Sequence, residues 1–325
     1  MNSAIVTGGL GFIGSHLVEL LIKKKFKVFI IDNYYSGKIK NIKKNKNIII
    51  IKKDIRKLNH HKFKNIDYIF HLASLADIVP SINHPSEYID VNVNGTVNML
   101  ELGRFLKIKK FIYAASASCY GYASIPTNEK HKINPQYPYA FSKYLGEECV
   151  KHWANVYDLN FVSIRIFNAY GLRSRTSGNY GAVFGVFLKQ KLNNKPLTIV
   201  GDGSQKRDFV HVTDVVNAFY LAAKSKIYNK VINVGSGKSK SINEIATLFG
   251  GKTIKIPKRP GEPDITQADI KQASTLFNWK PQIKFEDGVQ EMIRNIMYWK
   301  KAPLWEKKSI EKETKNWFKY LKKIK

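Results

Sequence analysis

Cysteine is nearly missing from this chain: Cys119 and Cys149 are the only two in 325 residues. That excludes a disulfide framework and fits a reducing compartment, the cytoplasm. Cysteine and histidine never cluster at metal-ligand spacing, so no metal is expected. No apolar run approaches the ~20 residues that cross a bilayer. The N-terminus reads as a strand rather than a signal peptide, and integral membrane contact is not expected. Repeats, low-complexity tracts and long linkers are absent as well. Acidic residues are few, 25 against 54 basic ones, for a net charge of +29. A field of that sign attracts nucleic acid or anionic membrane. Arginine, however, is also scarce, with eight beside 46 lysines, and the basic residues are scattered without a compact arginine–aromatic patch. Lys, Asn and Ile, all abundant here, share A/T-rich codons, so genome base composition accounts for the excess. No nucleic-acid partner is expected. The charge retains one use, the steering of small anions toward a cleft.

What the chain does have begins with TGGLGFIGSH at Thr7. Residues 3–7 read as a short buried strand. Phe12, Ile13, Leu17, Leu20 and Leu21 then recur at helical spacing over 12–24. Gly8, Gly11 and Gly14 punctuate the junction. Glycines there allow a tight turn, let backbone approach a pyrophosphate, and bring helix close to strand, with phosphates at the helix's positive end. A glycine triplet is also an ordinary turn, so the signal needs its context. Lys27–Ile31 is a second apolar run ending at Asp32, eighteen residues after Gly14, where a ribose-binding carboxylate belongs. A carboxylate accepts from the 2′-hydroxyl and repels a 2′-phosphate, which favours NAD over NADP. Further strands are expected at Ile48–Ile51, ending in His71-Leu72-Ala73, at Phe111–Ala115 and at Phe161–Arg165. Asp54-Ile55 follows the third, where adenine could be met. Strands alternating with helices imply an α/β fold, a Rossmann-type doubly wound parallel sheet.

Ser116 falls at the carboxyl end of the fifth strand, where open α/β sheets place ligands. Pro138 reads as the first residue of a helix carrying Tyr139 and Lys143 on one face. A free tyrosine, with a pKa of about 10, is a poor base at neutral pH. A nearby ammonium and a nicotinamide cation favour the phenolate, and a shift of three units requires roughly 4 kcal/mol. Ser116 can donate to the same substrate oxygen. A tyrosine followed by lysine four places on also occurs by chance; beside the glycine turn it points to dinucleotide-dependent proton and hydride chemistry.

With those residues in order, the chain resembles the extended short-chain dehydrogenase/reductase family, and within it the NAD-dependent nucleotide-sugar epimerases. The matching segments are TGGLGFIGSH, IDNYYSG, HLASLADIV, VNVNGTVN, AASASCYG, YPYAFSK, RIFNAYG, GDGSQKRDFVHVTDV and RPGEPD, from Thr7 to Asp264. The resemblance implies that Gly8, Gly11, Phe12, Ile13, Gly14, Asp32, Asn33, Asp54, Ile55, Leu72, Ala73, Ala76, Asn92, Tyr139 and Lys143 hold NAD. It implies a nucleotide sugar on Ser116, Ser118, Asn168, Arg207, Arg259 and Thr266, with the arginines at its diphosphate. Arginine suits that task because its planar fork pairs bidentately with phosphate oxygens. The implied reaction is 4-epimerisation by transient oxidation at C4. A dehydratase or dehydrogenase of the same family and a non-catalytic sugar-nucleotide-binding protein are the alternatives. Dehydratases carry an Asp-Glu pair where this chain has Ala117 and Ser118, and Ala76, followed by Asp77, stands where galactose-type enzymes usually carry lysine. The resemblance also implies a homodimer through helices near Val91–Leu106 and Tyr139–Tyr157.

Length allows a dinucleotide-binding domain over residues 1–167, with 208–234 returning to it, and mainly a lobe for the nucleotide sugar over 168–325. Near the C-terminus Ile310, Trp317, Phe318 and Leu321 share one helical face with lysines opposite. Such a stripe packs on its own protein or lies on a membrane or partner. Thr266, seven residues after Arg259, matches a bulky tyrosine in relatives restricted to unacetylated hexoses. A threonine leaves room for an N-acetyl group, unless another side chain refills the space.

Overall fold

The computed structural model describes residues 1–174 and 182–321. Twelve strands are present among them: β1 (Ser3–Thr7), β2 (Lys27–Asp32), β3 (Ile48–Lys52), β4 (Tyr68–His71), β5 (Lys110–Ser116), β6 (Phe161–Ile166), β7 (Asn168–Tyr170), β8 (Leu197–Val200), β9 (Lys206–His211), β10 (Lys230–Val234), β11 (Ser239–Ser241) and β12 (Thr253–Ile256). Seven of them form one parallel sheet in the order β10-β6-β5-β4-β1-β2-β3. The chain order reverses between β1 and β4, which opens a crevice at the carboxyl ends of those strands.

The central strands read as continuous apolar runs because both sheet faces are covered. Every residue of β1, β4 and β6 is buried. One face packs on the helices Phe12–Lys23 and Val212–Lys224, with Leu17, Leu21, Val215 and Phe219 fully buried between them. The other face packs on the helices Gly95–Leu106 and Pro138–Tyr157 through Met99, Leu100 and Val150. A separate core around Phe184, Phe187, Phe249, Val289 and Trp299 makes the second lobe.

Two boundaries differ from expectation. β9 does not enter the large sheet; it lies between β7 and β11 in a three-stranded one. Of the segment 208–234, it is the helix Val212–Lys224 and strand β10 that sit on the first lobe. Nor do residues 168–325 stay together, since Ala273, Phe277 and Trp279 fill the core beneath Val212–Lys224. The C-terminal stripe is split as well. The buried Thr314 follows the helix Lys307–Glu313, and Lys315–Leu321 begins anew, so Ile310 enters the second-lobe core while Trp317 and Leu321 pack on Val79. No helix among the described residues is long and apolar enough to cross a membrane.

Candidate active site

A cleft of about 720 Å³ runs between the carboxyl ends of the main sheet and the second lobe. Its floor is the glycine turn. Gly8 has φ of +66°, and a β-carbon on Gly14 would lie 2.1 Å from the Gly8 carbonyl oxygen. Backbone therefore packs on backbone, and no side chain stands between the turn and a ligand. Gly11 at the N-cap has no side chain to cap the first amides, and the first turn of Phe12–Lys23 holds no acid. The helix's positive end faces the cleft uncompensated, a suitable seat for a pyrophosphate.

A buried relay holds this floor. Thr7 Oγ1 accepts from the amides of Leu72 and Ala73, both at 3.0 Å, so its own hydrogen goes to His71 Nδ1 at 2.8 Å. His71 Nε2 then carries the proton and donates to Thr96 Oγ1 at 3.0 Å, and Thr96 donates to the Asn92 carbonyl at 2.6 Å. Burial, with the Lys143 charge adding to it, pulls the His71 pKa down to about 3. The ring stays neutral and the tautomer is fixed.

Asp32 ends β2 at 6% exposure and accepts from Leu10 N at 3.1 Å and Tyr34 N at 2.8 Å. Burial raises its pKa and these amides oppose the rise. Each carboxylate oxygen keeps a second lone pair for a ribose hydroxyl. The turn, the open helix end and this carboxylate together fit NAD. Asp54 also lines the cleft, but its carboxylate is engaged by Arg56 through Nε at 2.9 Å and NH2 at 2.6 Å. The hydrogen bond with Arg56 is the main reason its pKa falls to about 2.

At the end of β5, Ser116 caps a short turn by accepting from Ser118 N at 3.2 Å, and the two hydroxyls lie 2.8 Å apart. Tyr137 is extended before Pro138, which starts the helix Pro138–Tyr157. That register brings Tyr139 and Lys143 to the same wall as Ser116. Burial raises the Tyr139 pKa, and a hydrogen bond with Ser116 holds it back. Burial lowers Lys143 to about 7, which Glu147 counters in part. The ammonium lies 4.4 Å from the Tyr113 ring centroid, while Tyr113 Oη donates to the Lys143 carbonyl at 3.2 Å. The group can therefore exchange a proton near neutral pH while its position stays fixed.

Lys143 also gives stability a pH dependence. Its ordinary pKa is 10.5. Below pH 7 both folded and unfolded chains carry the proton, and the fold bears the whole cost of burying it. Between about 7 and 10.5 only the unfolded chain keeps it, so the free energy of unfolding rises with pH. Lys110, lowered to about 8 by burial, acts in the same direction. Urea unfolding at pH 7 and pH 9 should show greater stability at pH 9, and Lys143→Met should remove part of that gain. A variant with the wild-type slope would contradict the assignment.

The cleft brings together the glycines, Phe12, Ile13, Asp32, Asn33, Asp54, Ile55, Leu72, Ala73, Ala76, Ser116, Ser118, Tyr139, Lys143, Asn168, Arg207, Arg259 and Thr266. Asn92 stands apart. It is 1% exposed, and its amide is spent behind the wall on Leu75 N at 2.8 Å, Leu75 O at 3.0 Å and Ser142 Oγ at 2.9 Å. It braces the wall rather than facing a ligand. Across the cleft, Glu262 lies 3.6 Å from Arg207 NH2 and 3.5 Å from Arg259 Nε, so one carboxylate gathers both cations. Thr266 Oγ1 accepts from Asp208 N at 3.3 Å. Asp208 itself is fully buried and takes the amides of Ser236, Gly237 and Ala268, which ties β9 to the Thr266 segment. Glu262, Asp208, His71 and Tyr137 were not singled out from sequence as site residues, although each lies in a matching segment: RPGEPD, GDGSQKRDFVHVTDV, HLASLADIV and YPYAFSK.

The NAD dependent epimerase/dehydratase family model matches residues 4–235. A putative UDP-glucose 4-epimerase of Methanocaldococcus jannaschii is 37% identical over 303 residues, covering 89% of this chain and 96% of its own. Among solved structures, a UDP-N-acetylglucosamine 4-epimerase from Methanobrevibacter ruminantium M1, in complex with UDP-N-acetylmuramic acid, superposes with a TM-score of 0.87. It is 35% identical, covering 91% of this chain and 98% of its own. A UDP-glucuronic acid 4-epimerase from Bacillus cereus, in complex with UDP-glucuronic acid and NAD, gives a TM-score of 0.86 at 31% identity, with 91% and 99% covered.

Proposed function

Because this chain belongs to the NAD dependent epimerase/dehydratase family, we propose that it is an NAD-dependent nucleotide-sugar 4-epimerase, an isomerase. Its substrates on this reading are UDP-glucose and UDP-galactose and their N-acetylated forms. The observation that carries the reading is the meeting of Ser116, Tyr139 and Lys143 with the glycine turn in one cleft, where Ala117 and Ser118 follow Ser116. Eliminating water from the hexose requires acids at those two positions, and neither residue can supply a proton that way. A protein that only bound the sugar would have no need of the serine, tyrosine and lysine together.

NAD held on the glycine turn and Asp32 would supply a reversible hydride acceptor for C4, with no net consumption. The protein's residues manage the proton and the sugar. Tyr139 Oη takes the proton of the C4 hydroxyl, and Ser116 Oγ holds the same oxygen. The Lys143 ammonium offsets the burial that otherwise keeps Tyr139 a phenol. Arg207 and Arg259 hold the diphosphate while the 4-keto sugar turns over and presents its other face. Tyr139 then gives the proton back. The enzyme acts in the cytoplasm on this reading, where Cys119 and Cys149 stay as thiols. It works as a homodimer through the helices Gly95–Leu106 and Pro138–Tyr157, which leave Phe105, Phe141 and Val156 about half exposed.

Thr266 sets the breadth of the site. It lines the cleft with a short side chain whose hydroxyl is anchored on Asp208 N. Incubation with UDP-, CDP-, GDP- and dTDP-sugars should show turnover of UDP-glucose and UDP-N-acetylglucosamine. Thr266→Tyr should lower kcat/KM for the acetylated sugar about a hundredfold and for the plain one less than fivefold, as expected when a buried amide loses its room and its partner. Equal losses on both sugars, or no turnover of UDP-N-acetylglucosamine by the parent, would refute the assignment of Thr266.

A further inference from the structure

The helix Lys315–Leu321 belongs to no sheet and to neither large core, yet its apolar face is closed off. Trp317 is 1% exposed and packs with Leu321 and Val79, with Ile78, Ile82 and Tyr137 at the edge of the cluster. Three parts of the cleft converge on the Trp317 indole. Its Nε1 donates to the Pro260 carbonyl at 2.7 Å. The Arg259 guanidinium lies 5.1 Å from the ring centroid. Tyr137, whose ring is 6.4 Å from the indole, lies parallel to Tyr139 at 6.4 Å and 10°. Gly261 has φ of +76°, and a β-carbon there would sit 3.5 Å from Leu321 Cδ1. The Arg259–Gly261 segment is thus laid along the C-terminal helix.

An arginine side chain has many rotamers, and ordering it at the moment of binding costs affinity. An aromatic face attracts the cation electrostatically without accepting any of its N–H donors. It fixes the plane of the guanidinium without itself occupying the donor edge that pairs with oxygens. Glu262, by contrast, faces Arg259 from the side of a donor nitrogen, Nε, at 3.5 Å.

We propose that Trp317 is a positioning residue of the substrate site: its ring face and its bond to Pro260 hold Arg259 where the diphosphate oxygens arrive. The proposal rests on the nucleotide-sugar reading, and it extends the site some eighty residues past the end of the family match at 235.

UDP is the probe, because it carries the diphosphate whichever sugar is turned over. In titration calorimetry Trp317→Ala should weaken UDP binding about tenfold, in the range of a desolvated cation–π contact. KM for the sugar nucleotide should rise likewise, while kcat stays within about threefold and NAD affinity is unchanged. Trp317→Phe, which keeps a ring face, should lose less. The double variant Trp317→Ala/Arg259→Ala should bind UDP no more weakly than Arg259→Ala, because both changes act through one guanidinium. Unchanged UDP affinity in Trp317→Ala overturns the proposal, and so do additive losses in the double variant, which would mean the tryptophan merely packs. Should Trp317→Ala fail to fold, the same cycle with Trp317→Phe and Arg259→Lys decides between shared and additive losses. A wild type that binds UDP but turns over no sugar refutes the proposed reaction and leaves this cycle readable.

Discussion

Tyr139→Phe is expected to lower kcat by about a thousandfold, the middle of the range for a positioned acid–base group. Only the hydroxyl is removed. The ring keeps its edge contact with Tyr88 and its parallel contact with Tyr137, both at 6.4 Å, so the wall of the cleft should hold its shape. NAD and UDP should bind within a few fold of the wild type, because neither the glycine turn nor the arginines depend on that oxygen. Steady-state turnover of UDP-galactose, paired with calorimetric titration of both ligands, separates the two effects. Wild-type turnover in the variant would show that another group moves the proton. A parallel loss of ligand binding would show that the hydroxyl serves structure instead.

The largest effect on stability is expected one turn beyond Lys143. Glu147 accepts from Arg165 NH2 at 2.5 Å and Nε at 3.1 Å, and from Ser163 Oγ at 2.9 Å, with the two charged side chains 1% and 3% exposed. This pair fastens the helix of Tyr139 and Lys143 to β6. Glu147→Ala leaves the guanidinium buried without its counter-charge and should cost about 3–5 kcal/mol. That is a large part of the ~5–15 kcal/mol by which domains are stable. Replacing both partners, Glu147→Leu with Arg165→Met, should recover some of the loss but not all, because Ser163 Oγ and Tyr120 Oη also lose a partner. Urea unfolding measures both variants. A loss under about 1 kcal/mol in Glu147→Ala would mean that water reaches the pair.

The strands of the main sheet were readable because each is an apolar run closed by a turn signal, as at Asp32 after β2 and Ser116 after β5. β9 shows where that reading stops. Its Phe209-Val210 core suits either sheet, and periodicity does not say which neighbour a strand will meet. Asn92 shows a second limit, since a motif gives a residue's place but not which of its hydrogen bonds are already spent. The C-terminal stripe looked continuous because Ile310, Trp317 and Leu321 keep helical spacing, and nothing in that spacing marks the break at Thr314. Tyr137 and Trp317 are 180 residues apart, and no local pattern connects them. Reacting groups at a strand end and a helix start are local and therefore legible. The side chains that aim them come from distant chain and are not.

The sheet receives its last strand at Val234. A chain still on the ribosome, translated as far as residue 235, already includes every residue proposed to hold NAD. Of the buried core residues described on that side, Ala273, Phe277 and Trp279 are outstanding, with Ile270 and Leu276 at its edge. Arg259, Thr266 and Trp317 are still unmade, and at about 5–20 residues per second their arrival takes several seconds. Synthesis therefore imposes an order of assembly: the half that takes the cofactor can form first, and the segment that brings Arg259 to join Arg207 closes over it later.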